Sequence, residues 1–279
     1  MSDGSSEKQK MTAGLDLGDK HSYLCLLDTA SGEVIEEGRL RTTPEALGRR
    51  FGSEHERIKI AIEVGTHSPW VSRMLQECGH EVLVANARKI RLIYGSGRKS
   101  DKLDAEKLAR LARLDPELLY PVEHRGADSQ AHLALVHSRE ALVRSRTQLI
   151  NHVRGTVKSF GARLPRCSAQ SFHKKVAGSL PAPLKEALEP VVQTIASLTE
   201  KIRDYGRRIE ELTTKRYPET QLLRQVSGVG ALTALTFVLT LEDPRRFGRS
   251  RAVGADRPAK SWLSRTLDTD GEFIGAAAY

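Results

Sequence analysis

Four acidic residues, Asp16, Glu63, Asp101 and Asp104, each stand at the edge of a regular element that the sequence suggests. Carboxylates set at strand ends and on one helical turn are how a protein holds magnesium against a phosphodiester. Asp16 closes a run containing Gly14 and Leu15, with Gly18 shortly after, and Glu63 closes another apolar run, with Gly65 shortly after. Asp101 and Asp104 are three apart, which puts both carboxylates on one face at the start of a helix expected over 101–114. Acids in a first helical turn also satisfy free amides and the helix dipole, and a solvated strand end explains either of the others singly. The four together favour a metal site.

The elements that must position them alternate strand with helix. Strands expected over 12–17, 23–28 and 33–40, separated by turns at Gly18–Asp19 and Ser31–Gly32, read as a meander. A fourth strand over 58–63 is a buried run of branched residues. A helix over 69–78, opened by Pro69 and stopped by Gly79, then leads to a short strand over 81–85, which implies a parallel crossover. The result is an α/β domain with a mixed sheet. Residues 95–100 form a glycine and basic loop into the acidic helix, with Arg98 and Lys99 as candidate nucleic-acid contacts.

The second half reads as helical. Over 128–160, Val136, Val143, Ile150 and Val157 recur every seven residues and give one apolar seam. Arg139, Arg144, Arg146, Arg154 and Lys158 decorate this helix. Arg146, Arg154 and Lys158 are candidate nucleic-acid contacts, and a solvated charged face explains them equally well. A heptad follows over 184–212, from Leu184 and Leu188 through Val191, Ile195, Leu198, Ile202, Tyr205 and Ile209 to Leu212, with Pro190 and Gly206 as interruptions. Residues 161–183, rich in Ser, Gly and Pro, read as a connector. The two helices either fold back on each other or pair between protomers. Beyond them, Gly228 and Gly230 precede Ala231 and Thr233, a spacing that either lets backbone amides approach a phosphate or makes a tight helix corner.

Composition narrows the partners. The chain has 279 residues, 39% hydrophobic content and a formal charge of +9, enough for a sizeable core and biased toward an anionic partner such as nucleic acid. No apolar run is long enough to span a bilayer, so a membrane is the weaker reading. Cys25, Cys78 and Cys167 lack metal-ligand spacing, which argues against structural zinc and for a reducing cytoplasm.

The segments Gly14–Leu15–Asp16–Leu17–Gly18, Ala61–Ile62–Glu63–Val64–Gly65 and Ser100–Asp101–Lys102–Leu103–Asp104–Ala105 resemble, in order, the motifs of the DEDD transposases of the insertion sequence 110 family. The resemblance runs from about residue 12 to about residue 255. It implies a RuvC-like, ribonuclease-H-type domain whose Asp16, Glu63, Asp101 and Asp104 bind Mg2+. It also implies a coiled-coil region used in oligomerisation and guide-RNA contact, hence a homodimer or tetramer, and a helix-hairpin-helix-like turn at Gly228 and Gly230. The activity implied is DNA strand cleavage and exchange guided by a bridge RNA, in a prokaryotic cytoplasm at the nucleoid.

On this reading residues 1–11 form a disordered tail, 12–126 the RuvC-like domain, 127–217 the coiled-coil region, 218–255 a partial C-terminal domain and 256–279 an atypical tail. After Ala255 the family pattern calls for a Ser–Gly whose serine is the proposed nucleophile. Here Ser261 and Ser264 follow Pro258, but neither precedes a glycine. A truncation or frameshift near Ala255 is the expectation, with binding of nucleic acid and magnesium but no completed recombination. Two further classes stay open: a RuvC-like magnesium nuclease acting on branched DNA, and a non-catalytic nucleic-acid-binding remnant.

Overall fold

The computed structural model describes residues 9–87, 89 and 100–243. Arg98, Lys99, Ser261 and Ser264 lie outside the described residues. The chain divides into two units, Met1–Arg125 and Gly126–Tyr279.

The first unit is a five-stranded mixed sheet in the order β3-β2-β1-β4-β5. β1 (Met11–Asp16), β2 (His21–Asp28) and β3 (Val34–Arg41) form the antiparallel meander, while β4 (Lys59–Glu63) runs parallel to β1 and β5 (Glu81–Ala85) parallel to β4. This is the ribonuclease-H-type arrangement. One helix was not among the expected elements: α1 (Pro44–Phe51), between β3 and β4. Its signal was present in Thr43 and Pro44, since the Thr43 hydroxyl accepts from the Ala46 amide at 3.3 Å and proline suits a first helical position.

The two faces of the sheet are packed differently. On one, Leu15, Leu26, Ile60 and Ile62 meet Leu47 and Phe51 of α1 and Val71 and Leu75 of α2 (Ser68–Glu77), a core of large branched side chains. On the other, Cys25, Ala61 and Ala85 meet Ala105, Leu108, Ala109 and Ala112 of α3 (Asp101–Leu114). Small residues on both sides let the helix backbone lie close on the strands. The limit is reached at Gly14, where a Cβ would collide with the Ala105 carbonyl oxygen and the Ala109 nitrogen. A 3-10 turn (Pro116–Leu119) closes the unit, and the Asn86 and Val122 amides bond the Leu119 and Val84 carbonyls along the edge of β5.

The second unit is built on two long helices, α4 (Ala127–Ser159) and α6 (Ala182–Arg216). Leu133 and Val136 pack with Ile209, whereas Ile150, Val153 and Val157 pack with Leu184, Leu188, Val192 and Ile195, so the helices run antiparallel within the chain. The expected connector contains a short helix, α5 (Phe172–Val176), whose Phe172 and Val176 are fully buried in the same cluster. Pro190 lies inside α6 without ending it. The remaining elements are α7 (Thr220–Leu223) and α8 (Ala231–Leu241).

The buried stripe of α6 is rotated from the expected heptad. Leu184, Leu188, Ile195, Ile202 and Ile209 are buried as expected, but Val192, Thr199 and Thr213 take the places of Val191, Leu198 and Leu212. Both threonines turn their hydroxyls onto their own helix, Thr199 donating to the Ile195 carbonyl at 2.7 Å and Thr213 to that of Ile209 at 2.6 Å. With the hydroxyl satisfied, threonine packs much as valine does.

Candidate functional site

The sheet register and the direction of α3 bring the four acids to one edge. β1 and β4 pair in parallel through Leu15 and Ile62, so Asp16 and Glu63, the next residues, end adjacent strands side by side. Such neighbours lie roughly 4.8 Å apart. Side chains alternate along a strand, so Asp16 shares a face with Gly14 and Glu63 shares one with Ala61. That is the face covered by α3.

α3 runs opposite to β1. Near its end, Arg113 donates to the Thr29 and Ala30 carbonyls at 2.8 and 2.9 Å, beside the start of β1. Near its start, Lys102 pairs with Glu37, which aligns through Cys25 with Gly14 farther along β1. Asp101 and Asp104 therefore project from the helix end nearest Asp16 and Glu63. They continue the stripe of Ala105, Leu108 and Ala112 that packs on the sheet.

Asp16, Glu63 and Asp104 are partly buried and Asp101 is exposed. Asp104 pairs with Lys107 at 3.3 Å. The hydrogen bond and charge of Glu37 raise the Lys102 pKa above its ordinary value. The donor set suits a hard divalent cation, being carboxylate oxygen throughout and drawn from three elements at one edge. Among the described residues, no group of three or more His, Cys, Asp or Glu is gathered to hold a metal ion. The four acids thus share an edge and a face rather than a closed coordination sphere.

Sequence reasoning missed two neighbours at this edge. His67, in the loop after β4, has Nε2 3.6 Å from an Asp19 carboxylate oxygen in the β1–β2 turn, while its Nδ1 accepts from Trp70 Nε1 at 3.1 Å. Accepting at Nδ1 fixes the ring proton on Nε2, facing Asp19. The available signal was position alone, a polar ring in the loop that follows the Glu63 strand end.

The basic candidates separate by environment. Arg146, expected on a nucleic-acid-facing surface, is only 7% exposed in the α4–α6 seam, with Nη1 3.5 Å from Thr199 Oγ1 and Nε without a hydrogen-bond partner. Burial, with the charge of Arg139 second, lowers its pKa. The seven-residue spacing of the α4 seam carries this position inward, which the expected reading overlooked. Arg154 is partly buried, its Nη2 3.5 Å from the Cys167 carbonyl and its guanidinium 5.3 Å from the Phe172 ring centre. Lys158 is exposed. Gly228 adopts a left-handed φ of 83° and Gly230 caps α8, both in an exposed turn with no acid in the first turn of the helix.

The sheet is of ribonuclease-H type, with acids at the carboxyl ends of β1 and β4 and two more on the covering helix. The family model described as a transposase, that of the DEDD transposases of insertion sequence 110, matches residues 13–161, more than half of the chain. The chain belongs to this family. It is 32% identical over 243 residues to a putative transposase, y4pF/y4sB, of Sinorhizobium fredii, covering 82% of this chain and 61% of the relative. It is 29% identical over 222 residues to a probable family 20 transposase of Pseudomonas aeruginosa, covering 77% and 64%. With the transposase for insertion sequence element IS1111A of Coxiella burnetii it shares 29% identity over 169 residues, covering 58% and 45%. The chain thus spans less than two thirds of the length of these curated relatives. Among the described residues, no helix is long and apolar enough to cross a membrane.

Proposed function

We propose that this chain acts on the DNA of an insertion sequence, with Asp16, Glu63, Asp101 and Asp104 together holding Mg2+ at the scissile phosphate. The observation that carries this reading is the parallel register that ends β1 and β4 on Asp16 and Glu63 beneath the start of α3. When bound, the cation would offset charge on the phosphate oxygens and orient the attacking group. Glu63 and Asp16 hold the sheet side of the site, and Asp101 and Asp104 the helix side. Gly14 sets the spacing between the two sides by admitting the α3 backbone.

The exposed turn at Gly228 and Gly230 presents backbone amides to a DNA phosphate without reading sequence. Lys158 supplies a charge on the exposed side of α4. Guidance by a bridge RNA, assembly as a homodimer or tetramer and residence at the nucleoid rest on the family resemblance. No step is assigned to a serine nucleophile, since Ser261 and Ser264 lie outside the described residues.

Labelled branched and duplex DNA incubated with the purified chain, with and without Mg2+ and RNA, tests the reading. Nicks or covalent adducts that require Mg2+ and vanish in Asp16→Ala are expected. Binding without cleavage in any divalent metal would make the chain a DNA-binding protein only.

A further inference from the structure

A cavity of about 530 Å3 opens beside the acidic edge, lined by Asn86, Lys89, Asp115, Glu117, Leu118 and Tyr120 among others. Its volume falls within the range of small-ligand sites, roughly 300–1,000 Å3. It adjoins the proposed catalytic edge through the sheet: Glu63 pairs with Ala85 at the end of β5, and Asn86 is the next residue. Ligands of open α/β sheets bind outside the carboxyl ends of the strands, where this cavity lies.

The lining selects the chemistry. Tyr120 is held on the edge of β5 by the flanking bonds of Leu119 and Val122, and it is 42% exposed despite its large apolar ring. Lys89 Nζ lies 4.3 Å from the centre of that ring. Two carboxylates, Asp115 and Glu117, disfavour a bare phosphate in the pocket. The Asp115 carboxylate already accepts the Glu117 amide at 3.0 Å, whereas Glu117 is exposed. An aromatic face, an amide side chain and carboxylate acceptors suit a group with flat apolar faces and amino hydrogens on its edge. A nucleobase is such a group.

We infer that this cavity takes an unpaired nucleobase adjacent to the cleaved phosphodiester, stacked on Tyr120, with its edge toward Asn86 and Glu117. The stacked base replaces Lys89 on the ring, and the ammonium is then placed for the phosphate of the same nucleotide. This inference rests on the proposed action on DNA. It adds that the substrate enters the site with a base out of its duplex.

The test uses the full chain and eight-nucleotide single strands of DNA and of RNA carrying one 2-aminopurine, with an unmodified duplex as control. Stacking on Tyr120 quenches the 2-aminopurine signal, and the DNA and RNA arms show which strand supplies the base. Tyr120→Asn removes the ring while keeping a residue that tolerates the left-handed backbone found here, φ 47°. It is expected to weaken single-strand binding roughly tenfold and abolish quenching, with the melting temperature of the chain unchanged. Tyr120→Phe should bind within about twofold of the parent, since the ring face is retained. Equal quenching and affinity in Tyr120→Asn would overturn the base pocket alone. A parent chain that bound neither single strands nor duplex would overturn the proposed function with it.

Discussion

The sheet unit and the helical unit place polar groups by different means. In the sheet, Asp16 and Glu63 are adjacent because two strands share a parallel register, and α3 is pressed onto them at a glycine that admits no side chain. In the hairpin, Arg146, Thr199 and Thr213 are buried because side chains interdigitate along a seam. A one-residue slip in a strand flips every side chain to the other face, so register is strongly specified. A helix tolerates a small rotation of its stripe at modest cost, and α6 shows one. The sheet thus holds its acids by backbone geometry, and the hairpin holds its polar groups by packing.

Truncating the hairpin seam is the largest expected effect. Ile195→Ala, at a fully buried position, should cost about 2–5 kcal/mol in urea unfolding followed by helical circular dichroism. Metal binding by the sheet unit should survive; its loss would break the distinction. Gly14→Ala should cost a comparable amount, about 3 kcal/mol, because the added methyl meets backbone that cannot step aside by changing rotamer. It should also remove Mg2+-dependent cleavage by lifting the start of α3 off the sheet.

Arg146→Met probes the polar group that the hairpin buries. The guanidinium is buried beside Thr199, where a cation is poorly compensated, so the substitution should be neutral or stabilising by about 1 kcal/mol in thermal unfolding. A large loss would mean that the seam depends on this charge.

The smallest effect is one of pH. Burial first, then the charges of Arg73 and Arg125, hold His124 below its ordinary 6.5. The unfolded chain therefore takes up the proton more readily. The contribution to stability is present above 6.5 and drains as pH falls through it. His124→Gln should flatten that part of the stability profile measured by urea titration at stepped pH, and an unchanged slope would assign the loss to other groups.

The sheet was the more legible unit. Alternating apolar runs punctuated by Gly18, Gly32, Gly65 and Gly79 located all five strands, and the acids at strand ends followed from them. α1 escaped notice because it is short and polar, although Thr43 and Pro44 announce its start. In the hairpin, Thr199 and Thr213 behave as apolar residues only once their hydroxyls bond their own helix, and no apolar pattern reveals that. The same blindness made Arg146 look like a surface charge. His67 and Asp19 meet across two loops, a contact that no local spacing encodes.

Titration of the chain with Mn2+, followed by electron paramagnetic resonance, tests most directly whether acids from three elements act as one site. Asp16→Asn on β1, Glu63→Gln on β4 and Asp104→Asn on α3 are each expected to abolish the same bound-Mn2+ signal, and combining them should remove nothing further. Retention of the parental signal in any two of these variants would contradict a single shared site.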